Sequence, residues 1–458
     1  MKNPEVKAPV DYTRVNKFGS STLTRTNRAS LVADTGRVRP ESSPVPLVIF
    51  EPDPTLGRDE KVVVTVKTTF QWYKNLRQTE QQERPRSDVF GREKARQYVH
   101  GLVAAFPLSH DGIDWSLTRS DWAFSTVEPY AVDFHGDKMA LSGGNYLRLI
   151  DLNSGEVTPC RHPWLNQAHT VKFSPDGKRL LASSTGFDTV LEFSTKSGKV
   201  TWEWFAWEHG FDRSMLGHYV VRDRERKDAL IATGKKVMLV DDPAKFEYGV
   251  ATRLIPAHLN SADYDKDGRI LVSMFHQGSG LIIDRVTGKV REIVSGLVNP
   301  HKLAPRHQGG YFISDTRRGH LVLLDECHRR TDEIALPGLP GVERSPILSE
   351  FLQNTTELRE DLFACVDIHR NSIWLVDIKR RKYRGIKFPR EWSVHDVVSI
   401  EPRHLERIGR LVGRVFGKVE AEAMEGGKVV RHFSPDGGEI ATLKFDAQGR
   451  AIGLDVEM

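Results

Sequence analysis

A unit of two short apolar runs recurs along the middle of the chain and constrains the fold more than any other feature. In each copy a turn of small residues separates the two runs, and a Gly-Lys-Val type turn follows an acidic or polar residue. The six copies are Met139–Val157, Leu180–Val200, Leu230–Phe246, Leu271–Val290, Tyr311–Thr331 and Leu362–Tyr383. The register is marked by Asp151, Ser194, Asp241, Asp284, Asp325 and Asp377. These markers lie roughly 40 to 50 residues apart, the period of four-stranded propeller blades.

The composition of each unit indicates β-structure. The runs are short, rich in Val, Ile, Leu and Tyr, and bounded by Gly, Asp, Asn or Ser, which is the strand-and-hairpin signature. Because one blade cannot bury both faces of its sheet, blades must stack until the ring closes. We therefore predict an all-β fold, a six- or seven-bladed β-propeller. A seventh blade would start at His395 and be completed by the C-terminal strands, paired with the early run Lys61–Phe70.

Three segments do not fit the repeat. Residues 1–45 are rich in Arg, Ser, Thr, Asn and Pro without periodicity, so we predict an extended or disordered arm ahead of one propeller domain over residues 46–458. The polar stretch around residues 71–102 is broken at Pro85 and predicts a partly helical capping insertion. Arg403–Met424 has helical or irregular character.

Charge and cysteine content exclude several classes of protein. Lys and Arg total 66 against 61 Asp and Glu, a net charge of +5, so nucleic acid is not expected as the main partner. The three cysteines, Cys160, Cys327 and Cys365, have no short spacing, which indicates neither a disulfide framework nor a thiolate zinc site. The polar N-terminus and the absence of a long apolar run predict a cytoplasmic protein without membrane contact.

A subset of the 17 histidines repeats in phase with the units. Each member comes just before the first predicted strand of a blade; they are His169, His218, His258, His301 and His395. Tyr130 takes that place in the first blade, and the Ser345-Pro346 region takes it in the sixth. Since first strands line the central channel of a propeller, we predict that the five imidazoles face one axial mouth.

Such a mouth would suit several chemistries. Imidazoles without nearby cysteine suit a divalent transition metal such as iron or zinc, and Asp263, Asp396 and Asn260 would orient the rings from outside. Neutral imidazole is also a nucleophile or general base, and its protonated form binds anions. The sequence does not choose among these roles.

Part of the chain, mainly residues 169–325, resembles arylsulfotransferase-like propellers and related six- or seven-bladed proteins. The resemblance rests on three stretches: "HTVKFSPDGKRLLASSTGFDTVLEFSTKSGKVTWEW", "HLNSADYDKDGRILVS" and "PHKLAPRHQGGYFISD". It implies that His301 is the nucleophile candidate and His258 an anion-binding or supporting histidine. Met274 and Phe275 stand where the family pattern has an arginine, so the charge that would hold a sulfuryl group is missing.

Three hypotheses about function are consistent with these sequence features. The first is an enzyme with a histidine-lined axial site, metal-dependent or not, that acts on a small-molecule or peptide-derived substrate by lyase, hydrolase, oxygenase or group-transfer chemistry. The second is a non-catalytic interaction scaffold that binds a protein partner through its loops and N-terminal arm. The third is arylsulfotransferase-like group transfer at His301.

Overall fold

In the computed structural model, four-stranded antiparallel sheets account for most of the chain. The structure describes residues 50–68, 100–113, 117, 119–339, 352–389, 392–447 and 451–456. The arm predicted for residues 1–45 and most of the capping insertion lie outside these residues. The prediction of a mostly-β fold with repeated four-stranded sheets is confirmed, and the arrangement is propeller-like.

Six of the four-stranded sheets share one design, and we name them A to F. Their strands are given from the first to the fourth across each sheet. Sheet A comprises Pro129–His135, Lys138–Gly143, Leu147–Asp151 and Val157–Cys160. Sheet B comprises Ala168–Phe173, Arg179–Ser184, Thr189–Ser194 and Val200–Phe205. Sheet C comprises Leu259–Tyr264, Ile270–Met274, Ser279–Ile283 and Val290–Val294.

The other three sheets of this design lie further along the chain. Sheet D comprises Leu303–Pro305, Tyr311–Asp315, His320–Leu324 and Arg330–Ala335. Sheet E comprises Leu352–Arg359, Leu362–Asp367, Ser372–Asp377 and Lys382–Lys387, and Glu51–Pro52 adds a short parallel strand at its edge. Sheet F comprises Val394–Ser399, Lys61–Val66, His100–Pro107 and Trp122–Val127. The early run thus pairs with the strand that carries His395, as the sequence predicts.

The sheets pack face to face in a closed cycle. Apolar side chains of neighbouring sheets form the core between them; Trp204 of sheet B and Val272 of sheet C share one such cluster, and Phe124 of sheet F and Met139 of sheet A share another. First strands are almost wholly buried, whereas fourth strands such as Val157–Cys160 have exposed residues. Burial therefore decreases outward from the first strands, as stacked sheets around an axis require.

Polar side chains near the start of the first strands link each sheet to the next around the cycle. In most links a hydroxyl on the second strand donates to a first-strand backbone oxygen. The links are Thr65 to Tyr130 O (2.7 Å), Ser142 to Ala168 O (2.8 Å), Ser183 to Asn260 O (3.4 Å), Ser273 to His301 O, Ser314 to Thr355 Oγ1 (3.0 Å) and Asn354 to Asp396 Oδ1 (2.6 Å). Hydrogen bonds of this kind each contribute about 1 kcal/mol, and together they fix the register of the inner ends.

Two regions differ from the predicted repeat. The unit Leu230–Phe246 does not form a four-stranded sheet: helix α1 (Arg224–Ala232) covers its start, and Val237–Leu239 pairs in parallel with Tyr219–Val221. The side chain of Asp223 accepts a hydrogen bond from Arg226 N (2.7 Å) and caps this helix, a local signal that outweighs a short apolar run.

The C-terminal strands also depart from the prediction, because they do not complete the sheet of His395. They form a separate four-stranded sheet, G, with strands Val419–Met424, Gly427–Phe433, Glu439–Asp446 and Ala451–Val456. Helix α2 (Pro402–Leu411) joins sheet F to sheet G and buries Ile408 and Leu411. Within the described ranges no helix has both the length and the apolar character needed to cross a membrane.

Candidate functional site

One residue at the start of each first strand lies in a β-bulge or its equivalent, and these residues define the site. In sheets A, B, C, E and F the pairing with the second strand shifts by one residue at this point. In sheet D, His301 N donates to Ser314 O (3.1 Å) and Ser314 N donates to Lys302 O (2.8 Å), which places His301 at the same position. We call the six residues the axial ring: Tyr130, His169, Asn260, His301, Gln353 and His395.

A small cavity lies inside this ring. The space open to the centre of a water molecule is about 10 Å³, and the empty space around it, which includes open solvent, is about 180 Å³. The closed part therefore holds about one water molecule, and a larger ligand has to lie partly in the mouth. Five residues of the axial ring line it, together with the residue that follows four of them: Thr170, Ser261, Lys302 and Asn354. Tyr130 packs against the same group, with its ring centroid 4.6 Å from that of His169 and 4.7 Å from that of His395. The rings of His169 and His395 are 5.1 Å apart.

Hydrogen bonds fix which nitrogen of two imidazoles carries the proton. Nδ1 of His169 lies 2.9 Å from Gln167 O, and Nδ1 of His395 lies 2.9 Å from Tyr130 O. Because a carbonyl oxygen only accepts, each Nδ1 must donate, so in the neutral ring Nε2 holds the lone pair. Nδ1 of His301 bonds instead to the hydroxyl of Thr316 (2.7 Å), which can donate or accept.

The pKa of His169 lies well below its ordinary value. Burial is the main cause, because the interior disfavours the charged ring, and the nearby His395, Lys67 and His258 act in the same direction. At neutral pH His169 is therefore an uncharged imidazole with its lone pair on Nε2. This is the form that a general base or a metal ligand must have.

Charged side chains form a second layer next to the cavity. Lys172 lies 3.0 Å from Asp133, and the pKa of Lys172 is raised: burial opposes its charge, but nearby carboxylates outweigh that effect. Burial raises the pKa of both Asp263 and Asp396, while Lys172 and Lys302 oppose the rise. Lys302 is only 4% exposed. Lys302, which lines the cavity, thus lies near the two buried carboxyl groups of Asp263 and Asp396.

Tyr130 also belongs to a polar group that includes Lys67 and Glu128. Lys67 Nζ donates to the Tyr130 hydroxyl and lies 3.5 Å from Glu128. The Tyr130 hydroxyl in turn lies 3.3 Å from the carboxylate of Glu128. Neither Lys67 nor Glu128 was among the residues that the sequence pattern singled out, because both lie outside the first strands.

His258 stands beside the axial ring and not within it. It lies two residues before Asn260, in the left-handed region (φ 48°), and its ring is 6.1 Å from that of His169. Phe275 packs between His258 (4.9 Å) and His301 (5.3 Å). The register that aligns His258 with the other histidines is therefore wrong by two residues, and Asn260 holds the equivalent position.

A buried carboxylate holds the turn that carries His258. Asp188 accepts hydrogen bonds from Ala257 N (2.7 Å) and Leu259 N (2.9 Å). Burial raises the pKa of Asp188 to about 7, although these backbone donors favour the ionised form. Asp188 is thus a positioning residue for His258.

His218 does not reach the axial cavity. It lies just ahead of the parallel pair formed by Tyr219–Val221, where its backbone N donates to Ser214 Oγ (3.1 Å). The reason is the third repeat unit, which does not form a sheet of the A to F design. In sheet E the ring residue is Gln353, which the sequence analysis missed, and Ser345-Pro346 lies outside the described residues.

A better alignment signal was present in the sequence. An aromatic residue follows the ring residue by four positions in three first strands: Phe134 after Tyr130, Phe173 after His169 and Tyr264 after Asn260. An alignment of the first strands on these aromatic residues places Asn260 at the ring position of sheet C, whereas an alignment on the histidines places His258 there.

A metal ion at the histidines stays a prediction. Imidazole nitrogen suits zinc and iron. Among the residues with described positions, no group of three or more His, Cys, Asp or Glu side chains has a geometry that could hold a metal ion.

No family model matches this chain, and no curated protein matches it. Similar solved structures include virginiamycin B lyase from Staphylococcus aureus, with a TM-score of 0.39 and 11% identity over 72% of this chain and 84% of that chain. A protein of unknown function from Bacteroides caccae has a TM-score of 0.45 and 13% identity over 75% and 99%, and a streptogramin B lyase has 0.39 and 10% over 72% and 83%.

Structural similarity at this level says nothing about the functional residues or the reaction of this chain. The resemblance to arylsulfotransferase-like propellers stays a prediction. The class of protein rests on the molecule itself: a propeller-like fold with an axial ring of three histidines, two amides and one tyrosine.

Proposed function

We propose that this chain is a six-bladed propeller enzyme that transfers a proton to or from a small-molecule or peptide-derived substrate bound at the mouth of the axial cavity. Sheets A to F would be its blades, and sheet G would lie outside the ring. The observation that carries the proposal is the pair of imidazoles, His169 and His395, whose Nδ1 atoms are tied to carbonyl oxygens beside a buried cation. Such a pair offers a base with a fixed tautomer.

The chemistry follows from the groups around the cavity. Nε2 of His169 or His395 would accept a proton from an acidic carbon or from a water molecule. Lys302 would stabilise the negative charge that develops on the substrate oxygen, because a cation is more effective where water is excluded. A lyase or a hydrolase reaction needs both a base and a group that stabilises the developing negative charge. An iron or zinc ion bound by the same imidazoles would stabilise that charge further, and its presence is a separate proposal.

Sulfuryl transfer at His301 is the second candidate. His301 lines the cavity directly next to Lys302, and Thr316 holds its Nδ1. Lys302 would take over the anion-holding role for which the family pattern uses an arginine. This candidate requires a covalent sulfuryl group on His301, with the phenol of an aryl sulfate as the leaving group.

The test is a turnover screen of ester, lactone, peptide and aryl sulfate libraries with mass-spectrometric detection. We expect turnover by the wild-type protein and a loss of about a hundredfold or more in His169→Gln or His395→Gln, the usual contribution of a general base. His307→Gln is the matched control, since that side chain is 55% exposed.

Each result of the screen decides between the candidates. Turnover that survives both substitutions would contradict a role of these histidines as the base. Loss of activity only in His301→Gln, with a sulfated peptide in the wild-type digest, would favour sulfuryl transfer. Metal analysis of the same wild-type preparation tests the metal proposal.

A further inference from the structure

Asn260 differs from the other buried amides near the axial cavity. The residue is only 2% exposed, and it lines the cavity. Neither its Oδ1 nor its Nδ2 has a hydrogen-bond partner among the residues that the structure covers. In the same cavity, Asn354 donates to Asp396 (2.6 Å) and accepts from Thr355 N (2.8 Å).

Contacts within the described part of the protein do not account for this arrangement. A buried amide without partners costs free energy, and a leucine of similar size would fill the same space without that cost. The fold does not need the side chain for cohesion either, since the link from sheet B runs to the backbone oxygen of Asn260 and not to its amide. The amide is therefore suited to a partner that enters the cavity.

The chemistry of the side chain limits what that partner can be. A primary amide presents one acceptor and one donor on the same edge. It pairs through two hydrogen bonds with a group that also has a carbonyl oxygen and an N–H on one edge. Lactams, cyclic dipeptides and primary carboxamides have this edge, whereas a trans peptide bond presents its oxygen and its N–H in opposite directions.

We propose that Asn260 is the substrate-recognition residue of the axial site and that it selects a ligand with a cis-amide or carboxamide edge. The proposal rests on the proposed function and names its substrate class. Asn260 lies between His169 and His301 in the order of the sheets, so a ligand held there lies next to the imidazoles that line the same cavity.

The experiment measures binding of 2-pyrrolidinone, a small lactam, by ligand-observed NMR. Cyclopentanone, which lacks the N–H, and N-methylacetamide, which is trans, are the comparison probes. We expect 2-pyrrolidinone to bind the wild-type protein and to bind about tenfold or more weakly to Asn260→Leu and Asn260→Asp, because a site built for a donor and an acceptor discriminates strongly when one is lost. Asn153→Ser, in an exposed turn, should bind like wild type.

Two results would overturn the proposal: equal binding of 2-pyrrolidinone by Asn260→Leu and wild type, or no preference of wild type for 2-pyrrolidinone over cyclopentanone. Circular dichroism and thermal melts check that both variants are folded. If both fail to fold, a crystal structure of the wild-type protein with 2-pyrrolidinone decides, since a lactam away from Asn260 or only water at its amide contradicts the proposal.

The binding test is independent of turnover. Lactam binding without any turnover in the library screen would leave the recognition role intact and count against the proposed enzyme. Turnover of substrates that have no such amide edge, together with failure to bind the lactam, would retain the enzyme and remove this role of Asn260.

Discussion

Sheets B and C enclose two buried polar groups that behave differently. Towards the outside, the fully buried carboxylate of Glu192 accepts hydrogen bonds from Arg285 (2.8 and 2.7 Å), Tyr264 (3.0 Å) and Thr201 (2.7 Å). Towards the axis, Asn260 has no such set of partners in the described part of the chain. Both residues are buried, but only Glu192 has a full set of hydrogen-bond partners in the described part of the chain. A complete polar cluster holds sheets together, whereas an incomplete one in a cavity is available to a ligand.

The largest effect that this comparison predicts is the destabilisation of the fold when the Glu192 carboxylate is lost. Glu192→Gln keeps the shape but removes the charge that pairs with Arg285, so a buried ion pair is broken. We expect the free energy of unfolding to fall by about 3 kcal/mol, measured by urea denaturation at pH 7. Binding of 2-pyrrolidinone at the axial cavity should not change. A stability equal to that of the wild-type protein would mean that Glu192 does not hold the two sheets together.

The next largest effect is the contribution of His169 to the pH dependence of the free energy of unfolding. The pKa of His169 is far lower in the folded protein than in the unfolded chain, so below about pH 6.5 the unfolded chain binds a proton that the folded protein does not. The wild-type protein therefore loses stability as the pH falls, by about 1 kcal/mol between pH 7.5 and 5.5 from this group.

The variant His169→Gln tests the direction of this pH dependence. In His169→Gln the contribution is absent, so we expect the difference in unfolding free energy between the two pH values to shrink by about 1 kcal/mol. Asn153→Ser, which changes an exposed side chain that does not titrate, should retain the wild-type dependence. An unchanged pH dependence in His169→Gln would show that the pKa of this imidazole is not lowered in the folded protein.

The same comparison shows where sequence reasoning succeeds. The sheets that hold the Glu192 cluster follow from strand periodicity, because apolar runs and turn residues repeat with the blades, whereas the cluster itself was not predicted. The pairing of Lys61–Val66 with Val394–Ser399 could also be predicted, since a closed ring removes an exposed edge. Periodicity failed for Leu230–Phe246, where a short apolar run has no feature that separates a strand from a helix.

The axial site was predicted only in part, for a physical reason. A β-bulge adds one residue to a strand without a sequence signature of its own, so the register of a first strand cannot be read from the histidine alone. Three of the five predicted histidines, His169, His301 and His395, line the cavity. Gln353 and Lys302 were missed because an amide or a lysine before a strand is ordinarily an exposed residue.

The smallest predicted effect is the change in stability of Asn260→Leu, and it contrasts most clearly with the effect of Glu192→Gln. If the Asn260 amide has no partner in the free protein, Asn260→Leu removes a buried polar group and replaces it with an apolar group of similar volume. We expect the free energy of unfolding to change by less than about 1 kcal/mol, or to rise, in urea denaturation under the conditions used for Glu192→Gln. A loss of about 2 kcal/mol or more would show instead that the amide is bonded within the folded protein, and the two polar sites would then be alike. Stability retained together with lost lactam binding is the combination that separates a residue kept for a ligand from one kept for the fold.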